Sequence, residues 1–208
     1  MSGNADIQTG IQEQTGIDLA AGTWVEYVLG WMGATEADGL LARLREEPAW
    51  EQREIVLFGR RVLQPRLIAW AGSLGYRYSG QTLEPREPTP TTAALMARVS
   101  ERTGVPFNHV LLNCYRDGSD RIGLHADNEP ELGLNPIVAT LSLGATRRFV
   151  LKPRRPDHGP SRSLELHHGS LLVMGGACQR HYVHGVPRQS AAAGERISLT
   201  FRRLLRAP

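Results

Sequence analysis

Residues 136–151 read PIVATLSLGATRRFVL. Two apolar runs, 136–143 and 147–152, are split by a Gly-Ala-Thr turn, and each is too short for a helix. Working outward, similar runs occupy 107–115, 122–125, 163–166, 170–174, 180–186 and 195–204. They are rich in Val, Ile, Leu, Phe and Thr and are punctuated by Gly, Asp, Pro or Asn. Eight short strands in the C-terminal half predict a β-sandwich or double-sheet barrel rather than βαβ units. Upstream, a helix is predicted at 35–47, capped by Thr35, striped by Leu40, Leu41 and Leu44, and stopped by Pro48. A short strand follows at Glu54–Phe58. Residues 59–87 are loop and hairpin material carrying Trp70, Tyr76 and Tyr78. A second helix follows REPTPTT (86–92), capped by Thr91 or Thr92 and burying Leu95, Met96 and Val99. The predicted class is mainly β with flanking helices (α+β). The predicted organisation is a loosely ordered arm at 1–22, an extension with two helices at 23–105 and the β core at 106–208, one domain overall.

The 208 residues are 41% hydrophobic and 22% charged, which fits a soluble globular chain and excludes a disordered one. No uninterrupted apolar window approaches the length of a membrane-spanning helix, so no membrane association is expected. The first residues, MSGNADIQTG, lack the pattern of a secretory leader. Cys114 and Cys178 form no framework, so a reducing, cytoplasmic setting is expected. Of the 24 basic residues only Lys152 is a lysine. Residues 1–140 carry 12 basic against 18 acidic side chains, whereas residues 141–208 carry 12 against 3. A basic C-terminal third suits a polyanion or an acidic small molecule, although a solvated arginine-rich surface accounts for it equally well.

Three patterns carry chemistry. In Gly123-Leu124-His125-Ala126-Asp127, His125 and Asp127 are two apart, and on a strand they project to the same face. Downstream, His181 and His184 in HYVHGVP are three apart, so on one strand only one of them can join the same site. Two histidines and a carboxylate form the facial triad of non-haem Fe(II) oxygenases, which leaves coordination positions open. Zinc hydrolases use similar donors, and an isolated His-x-Asp is usually a surface pair. The last strand, RISLTFR (196–202), alternates Arg196, Ser198, Thr200 and Arg202 against Ile197, Leu199 and Phe201. An arginine buried by such a face calls for an anion, and a guanidinium grips a carboxylate through two parallel hydrogen bonds. The competing reading leaves both arginines in water on an outer face.

Taken together, residues 65–203 resemble the AlkB family of Fe(II)/2-oxoglutarate-dependent dioxygenases, most closely the branch holding the vertebrate DNA-repair homologues. The pieces that carry the resemblance are PRLIAWAGSLGYRYSG (65–80), NCYRDGSDRIGLHADNEPEL (113–132), PIVATLSLGATRRFVL (136–151), HGSLLVM (168–174), HYVHGVP (181–187) and RISLTFR (196–202). The resemblance implies a double-stranded β-helix (jelly-roll) core with an N-terminal nucleotide-recognition lid. It implies His125, Asp127 and His184 as iron ligands, with His181 a neighbour only. Asn113 and Tyr115 match 2-oxoglutarate contacts, Arg196 the clamp on its distal carboxylate, and Ser198, Thr200 and Arg202 further contacts. Tyr76, Arg77 and Tyr78 match the lid, Asn128 and Glu129 the positions that read the base edge, and Phe58, Gly59 and Arg60 a hairpin tip that probes the duplex. Several relatives carry Asp where Asn128 stands, and close ones carry Asn where Ser198 stands. An amide donates as well as accepts, so base preference is expected to shift, and the shorter serine is expected to weaken one co-substrate contact.

The implied activity is oxidative demethylation of 1-methyladenine- or 3-methylcytosine-type lesions. It uses Fe(II), 2-oxoglutarate and O2 and releases formaldehyde, succinate and CO2. Alkylated DNA is the expected partner, with RNA as an alternative, and the chain is expected to act as a monomer. Two rival readings are a protein or small-metabolite hydroxylase on the same scaffold and a non-catalytic nucleic-acid-binding β-sandwich. Outside the motifs, His168 is expected to order a turn, and His109 and His158 to face solvent. Trp24, Trp31, Trp50 and Met32 are expected in the core or docking the arm, the cysteines as apolar fillers, and Arg147, Arg148, Arg154 and Arg155 on phosphates.

Overall fold

The structure, a computed structural model, describes residues 12–15, 17, 19–57, 59–78, 80–189 and 194–205. The strands are β1 (Gln12–Thr15), β2 (Thr23–Leu29), β3 (Glu54–Leu57), β4 (Arg60–Leu63), β5 (Leu67–Gly72), β6 (Tyr76–Tyr78), β7 (Gln81–Leu83), β8 (His109–Tyr115), β9 (Ile122–His125), β10 (Val138–Gly144), β11 (Arg147–Pro153), β12 (Arg162–Leu166), β13 (Ser170–Gly176), β14 (Tyr182–Val186) and β15 (Arg196–Arg202). The helices are α1 (Ala34–Glu46), α2 (Pro90–Thr103) and a single turn, α3 (Cys178–His181). A seven-stranded sheet in the order β1-β2-β13-β10-β15-β8-β5 faces a four-stranded sheet in the order β12-β11-β14-β9. All pairings are antiparallel, giving the two-layer jelly roll. Two hairpins, β3–β4 and β6–β7, stand apart from these sheets.

The central strands β8, β10 and β15 are buried on both faces, but the two faces differ. Val110, Leu112 and Cys114 of β8, with Ile197, Leu199 and Phe201 of β15, join a core that takes in Leu40, Leu41 and Leu44 of α1 and Leu95, Met96 and Val99 of α2. The alternate positions turn to the space between the sheets. The helices therefore cover the back of the large sheet and leave its front free to build a polar site. α2 starts at Pro90 and is capped by Thr89, whose Oγ1 accepts from the Thr92 amide, and it ends at Gly104 with φ 69°.

Several expectations are corrected. Neither Thr91 nor Thr92 caps α2, because Pro90 sets the first helical position one residue after Thr89. Thr35 lies inside α1, which starts at Ala34 after Gly33 and has no side-chain cap. Residues 12–15 of the expected arm pair with β2 at the edge of the large sheet, while residues 1–11 lie outside the described residues. β5, expected as loop, pairs with β8, and the 180–186 run begins with the turn of α3. His109 is fully buried, because β8 is covered on both sides and shows no alternation. His158 is half-buried against the ring of His181, with its Nδ1 3.0 Å from the His181 carbonyl. Arg147 is fully buried, on the inward face with Phe149 and Leu151, and so is not on the surface to meet phosphates. Arg148, Arg154 and Arg155 are exposed. His168 orders the turn before β11, its Nδ1 accepting from the Gly144 amide at 2.8 Å. Met32 is buried, Trp31 and Trp50 pack at the core's margin, and Trp24 lies across Gly175, where a Cβ would sit 2.0 Å from the indole. Both cysteines are buried and free. Among the described residues no helix is long and apolar enough to cross a membrane.

Candidate metal centre

His125 ends β9 and His184 lies on β14, directly opposite in register. Asp127 stands two residues beyond the end of β9 rather than on it, yet its carboxylate returns to the same point. Ligand atoms of the three side chains all lie within 4.8 Å of one another. His184 Nε2 is 3.6 Å from Asp127 Oδ2, and the imidazole rings are 4.4 Å apart between centroids. His125 Nδ1 donates to the Gly123 carbonyl at 2.9 Å, which leaves its Nε2 lone pair free. Phe149 stacks on His184 at 5.4 Å. The second histidine of HYVHGVP goes elsewhere: His181 closes α3 with its Nδ1 against Thr23 Oγ1.

The protonation states suit a metal. Burial, reinforced by the neighbouring His125, drives His184 down to about 3, and burial also lowers His125. Both are therefore neutral imidazoles near pH 7, the form that ligates. Burial alone would raise Asp127, but Arg202 and then the two histidines outweigh it and hold the carboxyl at about 2. Arg202 donates to Asp127 Oδ1 from Nε at 3.2 Å and from Nη2 at 2.7 Å. Asp127 Oδ2 is buried and accepts no hydrogen bond among the described residues. One bare carboxylate oxygen between two neutral imidazoles is a donor set that fits a divalent iron.

The same space is lined by Asn113 and Tyr115 of β8, by Arg196, Ser198, Thr200 and Arg202 of β15, and by Thr140. All six predicted co-substrate residues thus converge with the metal triad. Arg196 is 1% exposed and among the described residues makes one hydrogen bond, from Nη2 to Ser142 Oγ at 2.8 Å. Its Nε and Nη1 are buried without a partner among the described residues. Two unmet donors on a buried guanidinium fit the carboxylate of an organic acid.

Outside this space lies a cavity of about 530 Å³, lined by Tyr78, Glu129, Arg66, Arg121 and Leu124 among others. Tyr78, Ile122 and His125 line both spaces. Of the predicted substrate residues, Tyr78 and Glu129 face the cavity, and burial raises the Glu129 carboxyl. Tyr76 does not line it. It is 0% exposed, edge-on to His109 at 4.9 Å and near Arg202, so its ring offers no face to a base. Arg77 and Asn128 are exposed, Gly59 forms the β3–β4 turn and Arg60 is exposed on β4. Phe58 lies outside the described residues.

Sequence reasoning missed two residues that hold the site together. Arg66, 4% exposed, donates to Asn113 Oδ1 at 2.7 Å and to the Tyr78 hydroxyl at 2.6 Å. Gln179, on α3, accepts from the Asp127 amide at 3.0 Å and so fixes the backbone of the carboxylate ligand. The Arg66–Asn113 and Gln179–Asp127 bonds span 47 and 52 residues of chain, and nothing local to either residue marks the partner.

Residues 25–202 match the family described as the 2OG-Fe(II) oxygenase superfamily. The chain belongs to that superfamily. Within it, the chain is 40% identical over 181 residues to the rat (Rattus norvegicus) alpha-ketoglutarate-dependent dioxygenase alkB homolog 3, an alignment covering 83% of this chain and 61% of that protein. It is 36% identical over 184 residues to the human (Homo sapiens) DNA oxidative demethylase ALKBH2, covering 83% and 70%. These relatives place it in the AlkB family. The chain spans about three-fifths of the length of the alkB homolog 3 relatives. The solved structure of OsALKBH1 superposes with a TM-score of 0.63 at 16% identity, covering 86% of this chain and 96% of that one, which bears on the fold alone.

Proposed function

We propose that the chain is an Fe(II)/2-oxoglutarate-dependent oxidative demethylase of N-alkylated bases in DNA. The observation that carries this reading is the meeting of the His125–Asp127–His184 trio and the bare guanidinium of Arg196 in one buried space beside a cavity of about 530 Å³. It is supported by relatives named as an alpha-ketoglutarate-dependent dioxygenase and a DNA oxidative demethylase. His125, Asp127 and His184 would hold the iron, which when bound supplies oxygen activation and the oxidation of the N-methyl group. Arg196 would grip the distal carboxylate of 2-oxoglutarate, with Asn113, Tyr115, Ser198, Thr200 and Arg202 around it. Arg66 keeps Asn113 in place, and Gln179 fixes the Asp127 loop. Phe149 and Val186 wall the space against water. Tyr78 and Glu129 would receive the lesion base, which must leave the stack to reach the site. Stacking on Tyr78 offsets about 1–3 kcal/mol of that cost. A cytoplasmic setting belongs to the same reading and draws on the free, buried thiols.

The test is incubation of the purified chain with Fe(II), 2-oxoglutarate and a 1-methyladenine oligonucleotide at stated salt. Formaldehyde and succinate are expected in equal amounts, with Asp127→Ala losing both metal binding and turnover. Succinate without formaldehyde would point to a hydroxylase of another substrate, and failure to bind metal would overturn the enzyme reading.

A further inference from the structure

Arg147 is as deeply buried as any described side chain, at 0% exposure, yet among the described residues it donates no hydrogen bond to a carboxylate. Its Nε donates to Gln189 Oε1 at 2.7 Å and its Nη1 to the Asp117 carbonyl at 3.0 Å. Its Nη2 donates to the carbonyls of Asp120 and Pro187 at 2.7 and 2.8 Å. Every acceptor is neutral, so the fork is fixed in place while its charge is offset only through space, by Tyr115 and the Asp120 and Asp117 carboxylates, and burial outweighs them. The nearby acids are engaged elsewhere. Asp120 takes a bidentate pair from Arg116, Asp117 caps Ser119, and Glu195 pairs with Arg45.

The guanidinium carbon of Arg147 lies 5.4 Å from the Tyr115 ring, and that of Arg196 lies 5.2 Å from the same ring. Arg196 also has no carboxylate among the described residues, and two of its nitrogens are unmet. Two buried cations thus share one tyrosine with no carboxylate hydrogen-bonded to either among the described residues, an arrangement that costs free energy until an anion arrives. Burial weakens the hold of both on their protons, and for Arg196 the charge of Arg147 adds to the effect.

We propose that Arg147 is a positioning residue for the co-substrate. It forms, with Arg196 and Tyr115, a two-cation well that draws in the distal carboxylate of 2-oxoglutarate, although only Arg196 touches it. The inference rests on the reading that 2-oxoglutarate occupies this space. Arg147 has a geometric part as well. Its four bonds tie the turn after Tyr115 (Asp117, Asp120) to the segment after His184 (Pro187, Gln189), so it joins the ends of the strand that presents the acid-binding tyrosine and the strand that presents a metal ligand.

The experiment is calorimetric binding of 2-oxoglutarate to the Mn(II)-loaded chain, with thermal melting of the unliganded chain alongside. Arg147→Met is expected to weaken binding about tenfold or more, and Arg147→Lys is expected to recover most of the loss. Because the two cations repel and neither has a carboxylate hydrogen-bonded to it, Arg196→Met is expected to raise the Tm of the unliganded chain by a few degrees, although it destroys the clamp. Wild-type affinity in Arg147→Met, or equal losses in the Lys and Met variants, would overturn the well. Should Arg147→Met not fold, the Arg196→Met melt decides, and a lowered Tm overturns it. Wild-type chain that binds Mn(II) but not 2-oxoglutarate would instead overturn the reading of the site on which the inference stands.

Discussion

The two ends of β15 carry the same side chain in opposite circumstances. At its C-terminal end Arg202 is buried and donates twice to Asp127 Oδ1. At its N-terminal end Arg196 is equally buried and, among the described residues, donates only to the hydroxyl of Ser142. Five residues on one strand separate a cation paired with a carboxylate from one that, among the described residues, is not. The difference shows that burial and strand position do not assign a role to an arginine; the list of what it touches does. Arg202 is part of the fold's own electrostatics and holds the carboxylate ligand ionised. Arg196 is a donor pair held open.

The comparison breaks most directly at Arg202. Arg202→Met strands Asp127 as a buried charge and is expected to destabilise the chain by about 3–5 kcal/mol, a fall in Tm of roughly 10 °C or more. Metal affinity should fall with it. If Arg202→Met and Arg196→Met move Tm in the same direction by similar amounts, the contrast between the two ends is wrong.

A smaller effect sharpens the contrast through His109, which lies opposite Arg202 in register. Burial, with Arg202 adding to it, lowers this imidazole from 6.5 to about 3. Between those values the unfolded chain takes up a proton that the folded chain refuses. The stability contributed by neutral His109 is therefore complete above about pH 6.5 and is lost progressively as pH falls toward 3. His109→Phe keeps the edge-on packing against Tyr76 and should leave the neutral-pH melt within about 1 kcal/mol of wild type. Chemical denaturation from pH 7 to 4 should show a shallower decline in the variant, and an unchanged slope would remove His109 from the account.

The smallest effect is at the open end. Ser142→Ala deletes the hydrogen bond that Arg196 makes among the described residues. A loss of about 1 kcal/mol or less in stability and a few-fold rise in the 2-oxoglutarate requirement are expected. Affinity unchanged in titration would mean that Arg196 is aligned by packing alone.

How much of this was legible depended on how local the signal was. The alternation in RISLTFR placed Arg196, Ser198, Thr200 and Arg202 on one face without help. The same rule applied to RRFVL would have put Arg147 inward with Phe149 and Leu151, but charge led it to be read as a surface residue. On β8 both faces are buried, so alternation carries no information, and His109 was misread for that reason. Asp127 was expected on the strand and instead reaches the site from the loop beyond it, held by Gln179. Arg66 and Gln179 depend on partners brought together only by the closed barrel, and nothing in PRLIAWAG or in GACQRH announces them. Tyr76 and Tyr78 look equivalent in GYRYSG, yet tertiary packing buries both and brings only Tyr78 to the cavity wall.

Tyr78, Ile122 and His125 front both the inner polar space and the outer cavity, so the partition between the two chambers is one side chain thick. A flat guest lodged in the outer chamber would sit against that partition, one side chain away from the inner one.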